Sequence, residues 1–206
     1  MSRTTIYLHR ADLTDRGAFE AYLALFDEFL AAQGRRRSLR IPLAGLLWAA
    51  CDPRTRGFFG WAQSEGLLPR VNAPGASLVG ADLRRAILEG ADLRSADLTG
   101  AYLAGANLEG AYLAGADLTR ADITGACLRS VNLTGADLRS ASLAGASLVG
   151  ADLRGASLEG ADLRSAYLAG ADLAGAYLTG ARRWSNDPPI AGWTLRDGVL
   201  VREVAA

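Results

Sequence analysis

Nine aspartates stand at the second place of a five-residue unit that recurs along the middle of the chain: Asp82, Asp92, Asp97, Asp117, Asp122, Asp137, Asp152, Asp162 and Asp172. Carboxylates in this number invite two chemistries, proton transfer and the display of an acidic face to a cationic partner. Proton transfer lacks its companions. His9 is the single histidine and lies near the amino terminus, no Ser or Cys sits in a nucleophile motif, and the chain has no Lys, so no Walker-type phosphate loop exists. Cys51 and Cys127 fall in different regions without a CxxC, which argues against both a disulfide framework and a zinc site. No catalytic residue, metal or cofactor is therefore expected. An Asp or Asn at a fixed place beside a bend bonds backbone groups of the turn, and these carboxylates read first as architecture.

The architecture is set by twenty-one consecutive pentapeptides in one register, from Ala76-Ser77-Leu78-Val79-Gly80 to Ala176-Tyr177-Leu178-Thr179-Gly180. Position one is Ala except at Val131, and position three is Leu except at Ile123. Position two takes Asp, Asn, Ser, Tyr, Ile87 or Cys127; position four is open; position five is mostly Gly, with some Ser and two Arg. A period of five suits neither a helix, with faces at 3.6, nor a flat strand, with faces at two, so the chain must turn within each unit. Strict self-similarity at a short period marks a solenoid, in which each unit buries its apolar face only on its neighbours.

Tandem Ala-Asp/Asn-Leu-x-x resembles the pentapeptide-repeat family. The resemblance implies a mainly β fold, a right-handed quadrilateral β-helix with four pentapeptides per coil, Leu and Ala inward and the other three positions outward. One bulky and one small inward residue per side suit a narrow tube, and Gly or Ser at the corner relieves crowding.

The flanks differ in texture. Residues 1–70 read as a small α-helical domain: Phe19, Tyr22, Leu23, Phe26, Phe29 and Leu30 form one apolar stripe between about Asp15 and Gln33, Pro42 opens a second helix, and Asp52-Pro53 opens a third that Gly66 ends. Ile6 to Arg10 and Ala11 to Asp15 match the repeat pattern but make only half a coil, so they read as an extended entry segment. The repeats occupy 71–180. In 181–206, Arg196-Asp197-Gly198 between Trp193-Thr194-Leu195 and Val199-Leu200-Val201 predicts a hairpin, with Trp184 folding over the last coil. That hairpin reads as a cap; the family resemblance adds dimerisation through this end as the alternative. Met1 to Ile6 lacks the pattern of a signal peptide, and the longest apolar run, Ile41 to Cys51, is too short for a bilayer and contains Pro42 and Gly45; a cytoplasmic protein without membrane contact is expected.

Formal net charge is zero, with 22 basic residues, all Arg, against 22 acidic, so no general attraction to nucleic acid or anionic membrane follows. The family resemblance implies one sharper partner, DNA gyrase, bound by mimicry of a B-DNA duplex. Residues twenty apart share a side of the tube, and the most acidic side stacks Asp97, Asp117 and Asp137 with Glu159, offset by Arg120 and Arg139. The four sides sum to minus four, nine Asp and three Glu against eight Arg between 76 and 180, where a duplex of ~25 Å carries about fifteen charges. Tyr102, Tyr112, Tyr167 and Tyr177 fall on four different sides and form no stacking ladder. The basic run Arg35-Arg36-Arg37 reads as a solvated loop or a contact for an acidic partner. The sequence thus favours a non-enzymatic scaffold that binds a protein partner, with a gyrase modulator as the alternative.

Overall fold

The computed structural model describes residues 70–202 and, as backbone, two short strands before them. Two compact units divide the chain, Met1–Asn72 and Ala73–Ala206. In the first, strand β1 (Tyr7–His9) pairs antiparallel with β2 (Ser38–Arg40), Leu8 opposite Leu39. The three helices expected in this region lie outside the described residues, as does the Arg35-Arg36-Arg37 run.

The second unit is the repeat. Each position-two residue bridges in parallel to the one twenty positions on, as in Asp97 to Asp117 to Asp137 and Asn132 to Asp152 to Asp172. Four pentapeptides therefore make one coil. The side of each coil is stitched by three amides: Leu98 donates to Asp117 O (2.7 Å), Asp117 donates back to Ala96 O (2.9 Å), and Gly100 donates to Thr119 O (2.9 Å). Within the unit, the Ala101 amide closes the corner on Leu98 O at 2.9 Å. That bond spans residues i to i+3, and φ at position five lies near +60°, so each corner fits a type II turn, whose third residue needs the left-handed region. Glycine enters that region freely. Six corners instead hold Arg85, Ser95, Arg120, Ser130, Ser140 and Ser165 at φ between 51° and 60°, each a strained place for a residue with a Cβ.

Inside, the two fixed columns are buried. From Ala86 to Leu163 every position-one and position-three side chain is at most 2% exposed. Eight of them from successive coils, Leu103 to Leu138 at intervals of five, leave a void of only ≈ 10 Å³ between them. That is too small and too apolar for a stable water. Each such Leu contributes on the order of 1.5–3 kcal/mol by burial. Position two is half-buried in thirteen of the twenty-one units rather than fully outward, and exposed in seven, the four tyrosines among them.

The register also runs past the last unit counted in the sequence. Ala181 is fully buried, Arg182 bridges Asp162, and Leu163 donates to Arg182 O at 2.9 Å, so Ala181-Arg182-Arg183 opens another coil. At the other end, Ala73-Pro74-Gly75 already forms a corner, with Ala76 donating to Ala73 O. The hairpin is present: β3 (Trp193–Arg196) pairs with β4 (Val199–Arg202) around Asp197-Gly198, both at positive φ. It caps one side only. Val199 bridges antiparallel to Arg182, Leu200 donates to Ala181 O (2.7 Å) and accepts from Gly180 (3.0 Å), and the Leu200 side chain is buried. Trp184 does not fold over the coil; it is 51% exposed, and the Arg164 guanidinium lies over its ring at 4.9 Å. The cation–π contact outcompetes burial there because Arg183, not Trp184, takes the inward place.

Two pairs of substitutions test this geometry by thermal melting. Leu128→Ala should cost about 2–5 kcal/mol through the cavity it leaves, while Arg129→Ala, exposed one residue away, should change stability by less than about 0.5 kcal/mol; equal melting points would refute the register. At the corners, Arg120→Gly should stabilise and Gly125→Ala destabilise, each by roughly 1 kcal/mol, because a Cβ at Gly125 meets no atom within 4 Å and only the backbone strain differs. The same sign for both would refute the corner assignment.

Candidate interaction surface

All nine position-two aspartates and both asparagines make one local bond. The side-chain Oδ1 accepts from the amide of position four, two residues on: Thr119 to Asp117 at 2.9 Å, Thr99 to Asp97 at 3.1 Å, Glu109 to Asn107 at 3.1 Å, and Ala174 to Asp172 at 3.0 Å are examples. The amide that opens the corner is thereby satisfied where no coil can reach it, which is why these residue types recur at this place.

Position four proves less open than its variety suggests. Five of its arginines reach back over Leu to the Asp of their own unit: Arg84, Arg94, Arg139, Arg154 and Arg164 clamp Asp82, Asp92, Asp137, Asp152 and Asp162. The clamp is two-pronged, as in Arg94 Nε to Asp92 Oδ1 at 2.8 Å and Nη2 to Oδ2 at 2.6 Å, the geometry in which guanidinium and carboxylate bind best. Looser contacts cross between coils, Arg129 to Glu109 at 3.8 Å, Arg154 to Asp172 at 3.7 Å and Arg182 to Asp162 at 3.3 Å.

These pairs decide how acidic the surface is. The structure stacks Asp97, Asp117 and Asp137 in one column, with Ser77, Ser157 and Tyr177 completing it. Asp137 is held by Arg139, whose charge also feels Glu159 and Asp117. The candidate surface is thus a column of two carboxylates without a bound guanidinium among the described residues, Asp97 and Asp117, beside a neutralised third and a Glu159 close to the same Arg139. Bonds to Thr99, side chain first and amide second, hold the Asp97 carboxyl below the usual carboxylate range, and the Arg139 clamp does the same for Asp137. The Arg84 and Arg154 clamps lower Asp82 and Asp152 to about 2. The four exposed tyrosines do stand on four different sides, at Tyr102, Tyr112, Tyr167 and Tyr177. Among the described residues no group of three His, Cys, Asp or Glu side chains is placed to hold a metal ion, and no helix is long and apolar enough to cross a membrane.

Sequence reasoning treated the charges one by one and missed the clamps. The pattern Asp-Leu-Arg, present five times, was the clue. It also missed Arg183, which the continued register would have placed inward, and its neighbour Asp187.

The clamps predict an acid-labile fraction of stability. A carboxylate whose pKa falls on folding stabilises the folded state above its unfolded pKa, near 3.8, and that stabilisation is lost as pH drops through the folded value, about 2 for Asp82 and Asp152. Melting temperature should fall between pH ~4 and ~2, by less in 1 M salt because the clamps are exposed. Asp152→Asn, which keeps the turn bond that Asn132 makes, should show a shallower fall; parallel profiles for the two proteins would deny the clamp any role.

A model of pentapeptide repeats matches residues 70–100, 96–135, 132–168 and 146–182, in eight copies and over more than half of the chain. No curated sequence matches it. Among solved structures, the pentapeptide-repeat protein Rfr23 from the cyanobacterium Cyanothece 51142 is similar at 27% identity over 57% of this chain and 83% of its own, with a TM-score of 0.35. HetL, a pentapeptide-repeat protein involved in heterocyst differentiation regulation in Nostoc sp. strain PCC 7120, is similar at 33% identity over 54% and 76%, TM-score 0.21. QnrB1, a plasmid-mediated fluoroquinolone resistance protein, is similar at 21% identity over 57% and 67%, TM-score 0.33. The matched units coincide with the stacked corners of the solenoid, and the chain belongs to the pentapeptide-repeat family.

Proposed function

We propose that the chain is a non-enzymatic scaffold that binds a protein partner on the rigid sides of its solenoid, in a cytoplasmic setting. One observation carries this reading: every described position-two carboxylate spends an oxygen on its own corner, and five are further clamped by arginine. Groups so committed do not shuttle protons. What they leave is a surface whose backbone is bonded coil to coil and on which five arginines are clamped to aspartates, so that little entropy is lost there when a partner docks. Association of two copies through the carboxyl-terminal end belongs to the same proposal, since β4 covers only one side of the last coil.

Gyrase modulation is the competing reading, and the charge layout disfavours it. A tube with a net charge of minus four between residues 76 and 180, most of its acids locally paired, offers a weak copy of a duplex with about one charge per 1.7 Å. The likeness to QnrB1 is too distant to alter that balance.

The two readings separate on one variant. Asp97→Asn, Asp117→Asn and Asp137→Asn combined should fold normally, because Asn107 and Asn132 make the same turn bond. We expect no salt-sensitive binding of gyrase by the parent protein, and a partner captured from cells that the triple variant still binds with less than about a threefold loss, the weakening expected of exposed, screened charges. Gyrase binding by the parent that the folded triple variant loses would overturn the scaffold reading in favour of mimicry.

A further inference from the structure

The inward third position is Leu in twenty of the twenty-one counted units and Ile123 in the other. In the continued coil that place is taken by Arg183, which is 4% exposed. A guanidinium stays charged in any protein interior, so burial must be answered by acceptors. Here the answer is incomplete. Nη2 donates to Pro188 O at 3.1 Å, and Nε lies 3.8 Å from Asp187 Oδ2. Nη1 donates to nothing and is closed to solvent. Asp187 is poorly placed to give more, because the same Oδ2 already accepts from the amides of Trp184 (2.8 Å) and Ser165 (3.2 Å). Burial accordingly pushes the Arg183 pKa down, with Asp187 opposing.

Beside this cation lies a cavity of ≈ 780 Å³, between the open half of the last coil and the strap 187–191. Arg183 and Asp187 form part of its wall, and Tyr167, Leu168, Leu173, Pro189 and Ile190 are among its larger apolar residues. The volume falls in the range of small-molecule sites, about 300–1,000 Å³, which combine apolar walls with a few fixed polar groups. Further donors stand at the same end. The amides of Leu168 and Leu173, whose counterparts lower in the array donate to the following coil, find no acceptor among the described residues.

We propose that this cavity binds a carboxylate carried on an apolar body, with the Arg183 guanidinium as the partner of the carboxylate. The cation lacks one acceptor, and a carboxylate oxygen is the acceptor a guanidinium fork fits best. The walls ask for hydrocarbon, which excludes a bare inorganic anion as the preferred occupant. An Arg in a column otherwise filled by Leu and Ile123 is unnecessary for stacking and is explained by a ligand that needs it. Two sources carry this chemistry, a free medium-chain acid and the carboxyl terminus of an apolar peptide.

Melting of the full-length protein distinguishes them. Millimolar octanoate, or a short peptide ending in Leu with a free carboxylate, should raise the melting temperature by a few degrees, as expected for a ligand well above its dissociation constant; which of the two does so identifies the source. Octanol, the amidated peptide and inorganic phosphate should not. In calorimetric titration, Arg183→Met should weaken the active probe about tenfold or more, from loss of one charge-assisted pair. Ala171→Phe, which keeps Arg183 and fills the cavity from its wall, should also remove binding and serves if the first variant fails to fold. Equal shifts from the acid and its neutral analogue, no shift from either acid, or undiminished affinity in a folded variant would each overturn the proposal.

Discussion

The corner at every fifth residue is the constraint on which the solenoid rests. A Leu carbonyl is closed by the amide three residues on, and the second of the two residues between them must enter the left-handed region. Once the corner is fixed, little freedom remains. The bulky residue before it and the small one after it point inward, the remaining amides and carbonyls point along the axis to neighbouring coils, and the amide at the fourth position is left without a coil partner. Aspartate or asparagine two residues back supplies that missing acceptor. Hydrophobic burial then stabilises a geometry that the backbone has already chosen, and the tight Leu column tolerates no second solution.

This dependence explains what the sequence made legible. A local rule repeated twenty-one times is visible without any knowledge of the fold, and the sides of the tube follow from counting by twenty, as the stacked Asp97, Asp117 and Asp137 show. The same rule hid what varies. Arg139 reads as one positive charge on a side, whereas its distance to Asp137 depends on a corner that brings positions two and four of one unit together. Ala181-Arg182-Arg183 reads as the end of the pattern because Arg is no substitute for Leu by composition, although its backbone keeps the register. Asp197-Gly198, by contrast, carries its turn in its residue types, and the hairpin was readable from them.

The end of the array shows two answers to one problem. A stack of coils always presents a last set of unpaired amides and a last layer of Leu. On one side β4 supplies strand pairing to Gly180 and Ala181, and its Leu200 side chain is buried. The pairing ends at Arg183, whose amide donates to Gly198 O at 3.0 Å; on the sides of Leu168 and Leu173 no strand follows, and the strap 187–191 lies there beside the buried arginine. The first solution removes the edge. The second leaves a desolvated charge next to a cavity, an arrangement that costs stability and therefore calls for a reason outside folding.

Along the sides, the charge layout limits how the surface can be recognised. When Arg84, Arg94, Arg139, Arg154 and Arg164 each sit on the Asp two residues earlier, opposite charges are separated by the length of a hydrogen bond. The field of such pairs decays faster than that of isolated charges, and salt screens what remains within about 8–10 Å. Long-range steering is then weak, so a partner gains its affinity after contact, from the fit of its surface to side chains whose positions the solenoid has already fixed. Among the described residues, the exposed rings of Tyr167, Tyr177 and Trp184 gather near the carboxyl-terminal end, and aromatic side chains of this kind bury much area for little entropy.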